Sequence, residues 1–406
     1  MFLANLWDKI NLFLAIIRNF AKNHMANLKL IRACTVSQSM IFIVDMIGDL
    51  QKQGYEVVAV SSDGPELDQV RKAGARTETV EMQRQISPAR DMKSLWQMFR
   101  LFRRERPAMV HSMTPKAGLI CMIAARLAGV PVRVHTFTGL VFPTSSGLKR
   151  RILMATDRLT CACATHVIPE GEGVRSDLLN NHITRKDIRV LGHGNCRGID
   201  LDKFNPELSE AQTQAAKIRI PDVFTFIFVG RIVRDKGINE LAEAFSRLYG
   251  ERQDIRLLLV GPYEDNLDPV SDTTRRTIDT CPGIHAVGPQ TDVRPWFAAS
   301  DALVFPSYRE GFPNVVIEAG AMSLPSIVTD INGSREIIIE GRNGTIIPPH
   351  DADALYNAMR GFVEDQSHTR QMGAEARPLI ASRYEQSFVR RCLIDFYKSI
   401  SPQDDK

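Results

Sequence analysis

Two short stretches of the sequence place charged side chains where a phosphorylated ligand could be held. The first, residues 229–237 (Val-Gly-Arg-Ile-Val-Arg-Asp-Lys-Gly), follows a β-rich run and precedes a helical pattern. Gly230 allows a sharp backbone turn and a close approach to a ligand. Arg231 and Lys236 can project two cations beside the start of the helix, which is a favourable place for a diphosphate. Two solvated cations on a surface loop are the alternative interpretation.

The second stretch, residues 306–319, supplies two carboxylates. Glu310 lies in a predicted loop, and Glu318 lies eight positions later on a helix predicted to begin near Asn314. Both carboxylates can then point into one site and accept hydrogen bonds from sugar hydroxyls, while free N–H groups at 312–315 could bind phosphate or sugar oxygens. An exposed surface pair is the alternative, but Glu318 sits in an apolar run where an unpartnered carboxylate is costly.

The elements that must position these loops alternate between short β-rich runs and longer helical patterns. Such alternation predicts an α/β fold with parallel sheets covered by helices on both faces. The alternation occurs twice, on either side of a polar stretch at about 205–220, so we expect two doubly wound domains. The predicted strands are 28–33, 55–60, 109–111, 132–136, 166–168, 188–190, 224–229, 257–260, 284–287, 302–305, 326–328 and 345–347, and helices are expected at 95–103, 117–127 and 385–400.

Composition narrows the class of protein. The chain has 406 residues, of which 44% are hydrophobic and 24% charged, as in ordinary globular proteins. A net charge of +4 is too small to indicate nucleic-acid binding, and no uninterrupted apolar run reaches the roughly 18 residues of a membrane-spanning helix. The seven scattered cysteines favour structural thiols in a reducing compartment.

The C-terminal motifs resemble a known family in their order and spacing. Together with 229–237 and 306–318, the segments 261–264 (Gly-Pro-Tyr-Glu) and 332–336 (Asn-Gly-Ser-Arg-Glu) are similar to the family-4 retaining glycosyltransferases of the GT-B fold. Residues 135–139 (His-Thr-Phe-Thr-Gly) resemble bacterial members that build capsule, O-antigen or related surface glycans.

The resemblance implies two Rossmann-like domains that face each other across a cleft. Residues 28–204 would bind the acceptor and 205–384 the nucleotide-sugar, with 1–27 as an N-terminal extension and 385–406 as a C-terminal helix and tail. Arg231 and Lys236 would bind the donor diphosphate, Glu318 the ribose, and Glu310 the donor sugar near the reacting carbon. The further donor-binding residues expected on this basis are Gly230, Phe312, Pro313, Asn314 and Val315.

The same resemblance implies retention of anomeric configuration and no metal or other cofactor. Two fixed cations and helix N–H groups can replace a metal on the diphosphate. A UDP-sugar is the donor expected from the frequency of such donors in the family. The acceptor would be a glycan or a polyprenyl-linked sugar.

Three residues of the N-terminal half are candidates whose roles stay open. His111 follows a strand near the place where family members often carry His-x-His, a motif that touches the donor sugar, but the second position here is Met113. Lys116 is a possible substitute contact. His135 ends a strand and could serve the acceptor or donor side. A hydrogen-bonded core histidine is the alternative for both histidines.

Basic amphipathic segments suggest a membrane partner. Seven cations and two anions occur between Arg84 and Arg106, with apolar residues at helical spacing, and a second basic cluster covers 149–158. This pattern predicts peripheral contact with an anionic surface at the inner face of the cytoplasmic membrane, and the alternative is an apolar stripe packed on the sheet.

Residues 1–20 could form an amphipathic surface helix, dock on the protein, or precede a true start at Met25.

Two further patterns favour structural interpretations. Residues 192–198 (Gly-His-Gly-Asn-Cys-Arg-Gly) miss the dinucleotide fingerprint by one residue and are interpreted as a flexible loop between the domains. Asp351 or Asp353 is predicted to cap a helix that begins near Ala354.

Two other functions remain in competition with sugar transfer. A nucleotide-sugar epimerase can share the two-domain architecture, but the loop carrying Glu310 and Glu318 argues against it. An inactive donor-binding scaffold is supported only by Met113.

Overall fold

The computed structural model describes residues 28–83, 87–266 and 268–401. The predicted amphipathic segment within residues 1–27 lies outside this range, and so does Arg84 of the basic segment.

The first sheet has six strands in the order β3-β2-β1-β4-β5-β6. The pairs β1–β2, β1–β4, β2–β3 and β4–β5 are parallel. This strand order is that of a doubly wound fold, in which the chain reverses its direction of winding between β1 and β4. The strands are β1 Leu28–Ala33, β2 Tyr55–Ser61, β3 Arg76–Thr79, β4 Met109–Met113, β5 Val132–Phe137 and β6 His166–Pro169.

The second sheet repeats the order of the first. It runs β12-β11-β10-β7-β8-β9, and its paired strands are parallel. Its winding therefore reverses between β7 and β10, and ligands of such sheets bind at the carboxyl ends of the strands at this point. The strands are β7 Phe224–Val229, β8 Ile255–Val260, β9 Ile284–Gly288, β10 Ala302–Phe305, β11 Ser326–Thr329 and β12 Gly344–Ile347.

Helices follow most strands, as the alternating pattern predicts. Among the residues that the structure describes, none of the helices combines the length and the apolar composition that a membrane-spanning segment needs. The helices are α1 Ile47–Lys52, α2 Leu67–Lys72, α3 Pro88–Glu105, α4 Pro115–Ala128, α5 Gly147–Cys163, α6 Glu172–Asn180, α7 Ser209–Ile218, α8 Ile238–Glu251, α9 Asp272–Thr280, α10 Arg294–Ala298, α11 Asn314–Ala321, α12 Ser334–Ile337, α13 Ala352–Glu364, α14 Gln366–Tyr384 and α15 Gln386–Ile400.

The chain divides into two compact units, each built from discontinuous segments. Of the described residues, the first unit comprises 28–136, Thr156–Val167 and 396–401, and the second comprises Phe137–Ala155 and Ile168–Asp395. In the second unit the core lies between β7–β12 and their helices, with Phe226, Phe228 and Phe297 among its fully buried side chains. In the first unit Val58 on β2, Val110 on β4 and Val134 on β5 are fully buried.

Most strands lie where the sequence predicts them, with two exceptions. The expected strand at 188–190 is wrong: those residues are irregular, and the carbonyl of Ile188 accepts a hydrogen bond from the side chain of Arg175. Strand β3 is not predicted because its sequence, Arg-Thr-Glu-Thr, has no apolar residue and its side chains are partly or fully exposed at the sheet edge.

The predicted helix cap at Asp351 is confirmed. Asp351 precedes α13, and its carboxylate accepts a hydrogen bond from the Ala354 N–H.

Candidate active site

The cation-bearing loop of the second unit follows β7 directly. Strand β7 is buried almost throughout, and Gly230 leaves it with φ +156°, close enough to Gly261 after β8 that a Cβ on Gly261 would lie 1.9 Å from the Gly230 carbonyl oxygen. Arg231 donates to Glu264 at 2.6 Å. A short 3₁₀ turn, Arg234–Lys236, then carries Lys236 to the start of α8.

The carboxylate-bearing loop follows β10, which is the neighbour of β7. The Lys236 ammonium donates to the Glu310 carboxylate, and the Ser307 hydroxyl donates to the same oxygen at 2.9 Å. Both charged side chains are largely buried. The structure thus brings Lys236 and Glu310 into contact at the point where the winding of the sheet reverses. Arg231, on the same loop as Lys236, interacts electrostatically with Glu310.

Glu318 lies one turn into α11, as predicted, and is mostly buried. Burial raises the pKa of this carboxyl to about 7, against the opposing effect of Arg197 and Lys203. Near neutral pH the side chain therefore exchanges between an ionised acceptor and a protonated form that can also donate.

The remaining predicted donor-binding residues form the entry to α11. Phe312 is buried and packs edge-on against Tyr384, with ring centroids 5.5 Å apart. Pro313 immediately precedes the helix, while Asn314 and Val315 are half-buried in its first turn, where N–H groups have no partner within the helix.

The predicted residues of the N-terminal half lie in the first unit. His111 on β4 is buried between the Tyr397 hydroxyl at Nδ1 and Thr136 Oγ1 at Nε2, 2.7 Å away. Burial, followed by the nearby Arg32 charge, holds its pKa well below the usual range. Both histidines are therefore neutral at pH 7, since burial also lowers the pKa of His135 on β5 to about 3.

His135 and Lys116 each have a close partner in the same unit. Nδ1 of His135 lies 2.9 Å from the Ser112 hydroxyl, and its ring fills the space beside Gly118, where a Cβ would lie 2.3 Å away. The Lys116 ammonium donates to both carboxylate oxygens of Asp91, at 2.7 and 2.9 Å.

Residues that sequence reasoning missed lie beside the predicted site in the second unit. Asn195 donates to Asn314 at 2.9 Å, the Cys196 thiol donates to Glu170 at 3.0 Å, and Arg197 lies 3.6 Å from Glu318. Their only sequence signal is the glycine-dense segment 192–198. Glu170 could have been noticed, because it follows a predicted strand, and burial raises its pKa to about 7.

Comparison with known proteins identifies the family. The family model "Glycosyl transferases group 1" matches residues 223–365. The family model "Glycosyl transferase 4-like domain" matches residues 42–194. A capsular polysaccharide biosynthesis glycosyltransferase, CapM of Staphylococcus aureus, is 30% identical over 382 residues, which cover 94% of this chain and 100% of the relative. The chain belongs to the group 1 glycosyltransferases. The resemblance drawn from the C-terminal motifs is thereby confirmed, and so is the prediction that the protein is an enzyme.

One further relative and two solved structures are similar to this glycosyltransferase. An Escherichia coli UDP-Gal:alpha-D-GlcNAc-diphosphoundecaprenol alpha-1,3-galactosyltransferase is 28% identical over 288 residues, covering 70% of this chain and 73% of the relative. Among solved structures, Anabaena HepE in complex with UDP superposes with a TM-score of 0.77 at 15% identity, over 92% of this chain and 100% of HepE. WaaG, a glycosyltransferase involved in lipopolysaccharide biosynthesis, gives 0.70 at 16% identity, over 89% and 98%. These likenesses confirm the predicted GT-B fold of the glycosyltransferase.

No group of three or more metal-ligating side chains occurs within residues 28–83, 87–266 and 268–401 of the glycosyltransferase. Asp200, which begins one of its Asp-x-Asp sequences, accepts the N–H groups of Asp202 and Lys203. That pattern is an Asx turn, which is a local backbone structure.

Proposed function

We propose that this glycosyltransferase moves a sugar from a UDP-sugar to a glycan or polyprenyl-linked acceptor in the assembly of a bacterial surface polysaccharide. The observation that carries the proposal is the contact of Lys236 with Glu310 between the loops after β7 and β10, with Arg231 on the same loop as Lys236. CapM, a glycosyltransferase of capsular polysaccharide biosynthesis, and the Escherichia coli galactosyltransferase, which acts on a diphosphoundecaprenol-linked sugar, support the class of acceptor. The UDP bound to HepE supports the nucleotide.

In the proposed complex the donor diphosphate lies between the β7 loop and the start of α8. Arg231 and Lys236 exchange their present carboxylate partners for phosphate oxygens, since charge-assisted bonds to a diphosphate suit both side chains. Released from Lys236, Glu310 faces the donor sugar, and Glu318 accepts hydrogen bonds from the ribose hydroxyls. The N–H groups that begin α11 add fixed donors.

The proposed reaction retains the anomeric configuration and needs no metal. The bond between the anomeric carbon and the leaving phosphate oxygen breaks, and the acceptor oxygen bonds to that carbon on the same face. The acceptor proton passes to the leaving phosphate, so no side chain has to act as the base. Arg231 and Lys236 stabilise the charge that develops on the departing nucleotide.

Calorimetric titration of UDP, GDP and ADP tests the donor site without an acceptor. Wild type should bind UDP selectively, and Arg231→Ala should lose most of that binding because a diphosphate contact is gone. Arg234→Ala is the matched control: it removes an exposed cation from the same loop, where it pairs with Asp268 at 3.2 Å, and should bind UDP normally. Preference for GDP or ADP would redirect the choice of donor.

Activity measurements test the chemistry. Lys236→Ala and Glu310→Ala should lose transfer while keeping the wild-type circular dichroism spectrum, and wild-type turnover by either variant would refute the assignment.

Analysis of product configuration tests retention, and EDTA treatment tests metal independence. Incubation with donor alone should leave the sugar unchanged, whereas a new epimer would identify the enzyme as an epimerase.

We also propose that helix α3 contacts an anionic membrane surface. Its buried side consists of residues such as Met98, Leu101 and Phe102, but Met92 and Trp96 remain 65% and 56% exposed. Lys93, Arg100 and Arg103 are exposed on the same helix, and the Arg100 guanidinium lies 4.6 Å from the centre of the Trp96 ring. Apolar and aromatic side chains beside cations suit the interface of an anionic bilayer.

Sedimentation with phosphatidylglycerol vesicles tests this surface. The double variant Met92→Ser/Trp96→Ser should sediment less than wild type, because two interfacial anchors are lost. Leu127→Ser, which changes an equally exposed leucine on α4, should behave as wild type. Equal sedimentation of all three proteins would contradict the role of α3.

A further inference from the structure

Residues 194–198 form a loop, hereafter the 194–198 loop, whose three central side chains each contact a different residue of the second unit. Asn195 bonds to Asn314 at the start of α11, Cys196 to Glu170 after β6, and Arg197 faces Glu318 inside α11. The sequence predicts a flexible connection here, whereas Asn195 and Arg197 contact α11 of the candidate donor site and Cys196 bonds to Glu170 beside it.

The backbone of the loop is fixed by its own hydrogen bonds. Gly194, Asn195 and Gly198 have φ values of +89°, +60° and +70°, which favour glycine and asparagine. The side-chain oxygen of Asn195 accepts from the N–H groups of Arg197 and Gly198 at 3.0 and 2.6 Å. The turn therefore fixes the backbone position from which the Arg197 side chain extends.

The contact between Arg197 and Glu318 is an ion pair without a hydrogen bond. Arg197 Nη1 lies 3.6 Å from Glu318 Oε1, and only 19% and 16% of the two side chains are exposed. Arg197 Nε is buried and has no hydrogen-bond partner within the part of the chain that the structure describes. The guanidinium thus acts on Glu318 mainly through its charge, and limited exposure to water weakens the screening of that charge.

The other charged groups on elements packed against α11 have different partners or a smaller effect. Lys203 also lowers the pKa of Glu318, but its effect is smaller than that of Arg197.

The charged groups on two neighbouring helices have partners of their own. On α14, Arg377 donates to the carbonyls of Leu201, Phe204 and Ala321. On α12, Arg335 pairs with Asp330, and the Glu336 carboxylate accepts N–H groups of residues 172, 173 and 333.

We propose that Arg197 is a positioning residue that holds the Glu318 side chain, through its charge, as a carboxylate ready for the diol of the donor ribose. The inference rests on the proposed function, because it takes Glu318 as the ribose acceptor. A carboxylate accepts two hydroxyl hydrogen bonds with its two oxygens, whereas the protonated form has lost part of that capacity. Arg197 thereby couples the 194–198 loop to donor affinity without contacting the donor.

The test is the pH dependence of UDP affinity between pH 5.5 and 9, in wild type, Arg197→Met, Arg197→Lys and Glu318→Gln. Wild-type affinity should rise through pH 7, as Glu318 ionises. Loss of a neighbouring cation raises a carboxyl pKa by about one unit or more, so Arg197→Met should bind about fivefold more weakly at pH 7 and nearly normally at pH 9. Arg197→Lys should restore most of the profile. Arg189→Met, which removes an exposed arginine outside the loop, is the matched control.

The double variant Arg197→Met/Glu318→Gln separates positioning from direct contact. It should bind UDP as Glu318→Gln does at every pH, and this comparison also removes the titration of UDP itself. A loss of affinity that is constant with pH and persists in the Glu318→Gln background would overturn the inference, and so would unchanged binding in Arg197→Met.

A ligand-free measurement distinguishes failure of this inference from failure of the proposed function. Carbon-13 NMR of the glutamate carboxyls, with Glu318 identified by its absence in Glu318→Gln, should show a higher Glu318 pKa in Arg197→Met than in wild type. An unchanged pKa overturns the inference whatever UDP does. Wild type that binds no nucleoside diphosphate would instead contradict the proposed function.

Discussion

Both cations proposed to bind the donor diphosphate are held by a carboxylate of the same unit. Arg231 pairs with Glu264, and Lys236 pairs with Glu310. Two positive and two negative side chains therefore neutralise one another before a donor binds. An entering diphosphate has to compete with these carboxylates, so part of the attraction between the cations and the donor offsets the loss of existing ion pairs.

This competition predicts that one substitution tightens nucleotide binding. Glu264→Gln removes the carboxylate that accepts from Arg231 at 2.6 Å, and leaves the guanidinium available to phosphate. We expect UDP to bind about two- to fivefold more tightly, because a partly exposed ion pair contributes up to about 1 kcal/mol. Calorimetry at low ionic strength measures the change.

The matched control is Glu375→Gln, which removes the partner of Arg342 at 2.8 Å elsewhere in the second unit. It should leave UDP affinity unchanged. Weaker binding by Glu264→Gln would mean that Glu264 orients Arg231 for the donor and does not compete with it.

At the scale of elements, the turn between β7 and α8 depends on a glycine. Gly237 has φ +71°, and a Cβ at this position would lie 2.0 Å from the carbonyl oxygen of Pro306, which follows β10. The two loops that bring Lys236 and Glu310 together are therefore packed backbone to backbone. A side chain here would push apart the elements that carry the two charges.

Gly237→Ala should accordingly lower the free energy of unfolding by at least about 2 kcal/mol, from strain and displacement of the Pro306 loop together. It should also weaken UDP binding. Gly250→Ala provides the comparison, since a Cβ on this exposed glycine of α8 would have no neighbour within 4 Å, and alanine favours a helix by up to about 1 kcal/mol. Urea denaturation and calorimetry of both variants give the two quantities, and equal stability would contradict the packing argument.

The elements themselves were largely predictable from sequence, whereas side-chain partners were not. Strand β10 is wholly apolar and β7 is apolar except for Thr225, so their ends, and the loops carrying Arg231 and Glu310, follow from the pattern. Strand β3 has no such run. The contact of Arg197 with Glu318 depends on the left-handed turn at 194–198 and on the folding of the long stretch of chain between the two residues, neither of which is encoded in local spacing.

At the scale of the whole molecule, the first unit is completed by the end of the described chain. Tyr397 on α15 is fully buried there; its hydroxyl bonds to His111, and its ring lies edge-on to that of Tyr55, with centroids 6.0 Å apart. The hydroxyl of Tyr55 also lies 3.1 Å from that of Ser401. A sheet formed by residues 28–169 thus has part of its packing supplied from residues 396–401.

Tyr397→Ala should destabilise the first unit selectively. Removing a buried aromatic ring costs about 3–5 kcal/mol, and it leaves His111 without one hydrogen-bond partner. Hydrogen exchange followed by mass spectrometry should show faster exchange in peptides from β1 and β4, with little change in β7 and β10. Lys398→Ala, at the exposed neighbouring position, should exchange as wild type. Equal acceleration in both sheets would contradict the assignment of Tyr397 to the first unit.

The position of Tyr397 also has a consequence for biosynthesis. Domains generally fold in order as they leave the ribosome. In this chain, however, all six strands of the first sheet leave the ribosome long before Tyr397, which packs against Tyr55 on β2 and bonds to His111 on β4. The first sheet therefore lacks the packing of residues 396–401 while residues 168–395 of the second unit are translated. Molecular chaperones that recognise exposed apolar surface would meet this intermediate until residues 396–401 have been translated.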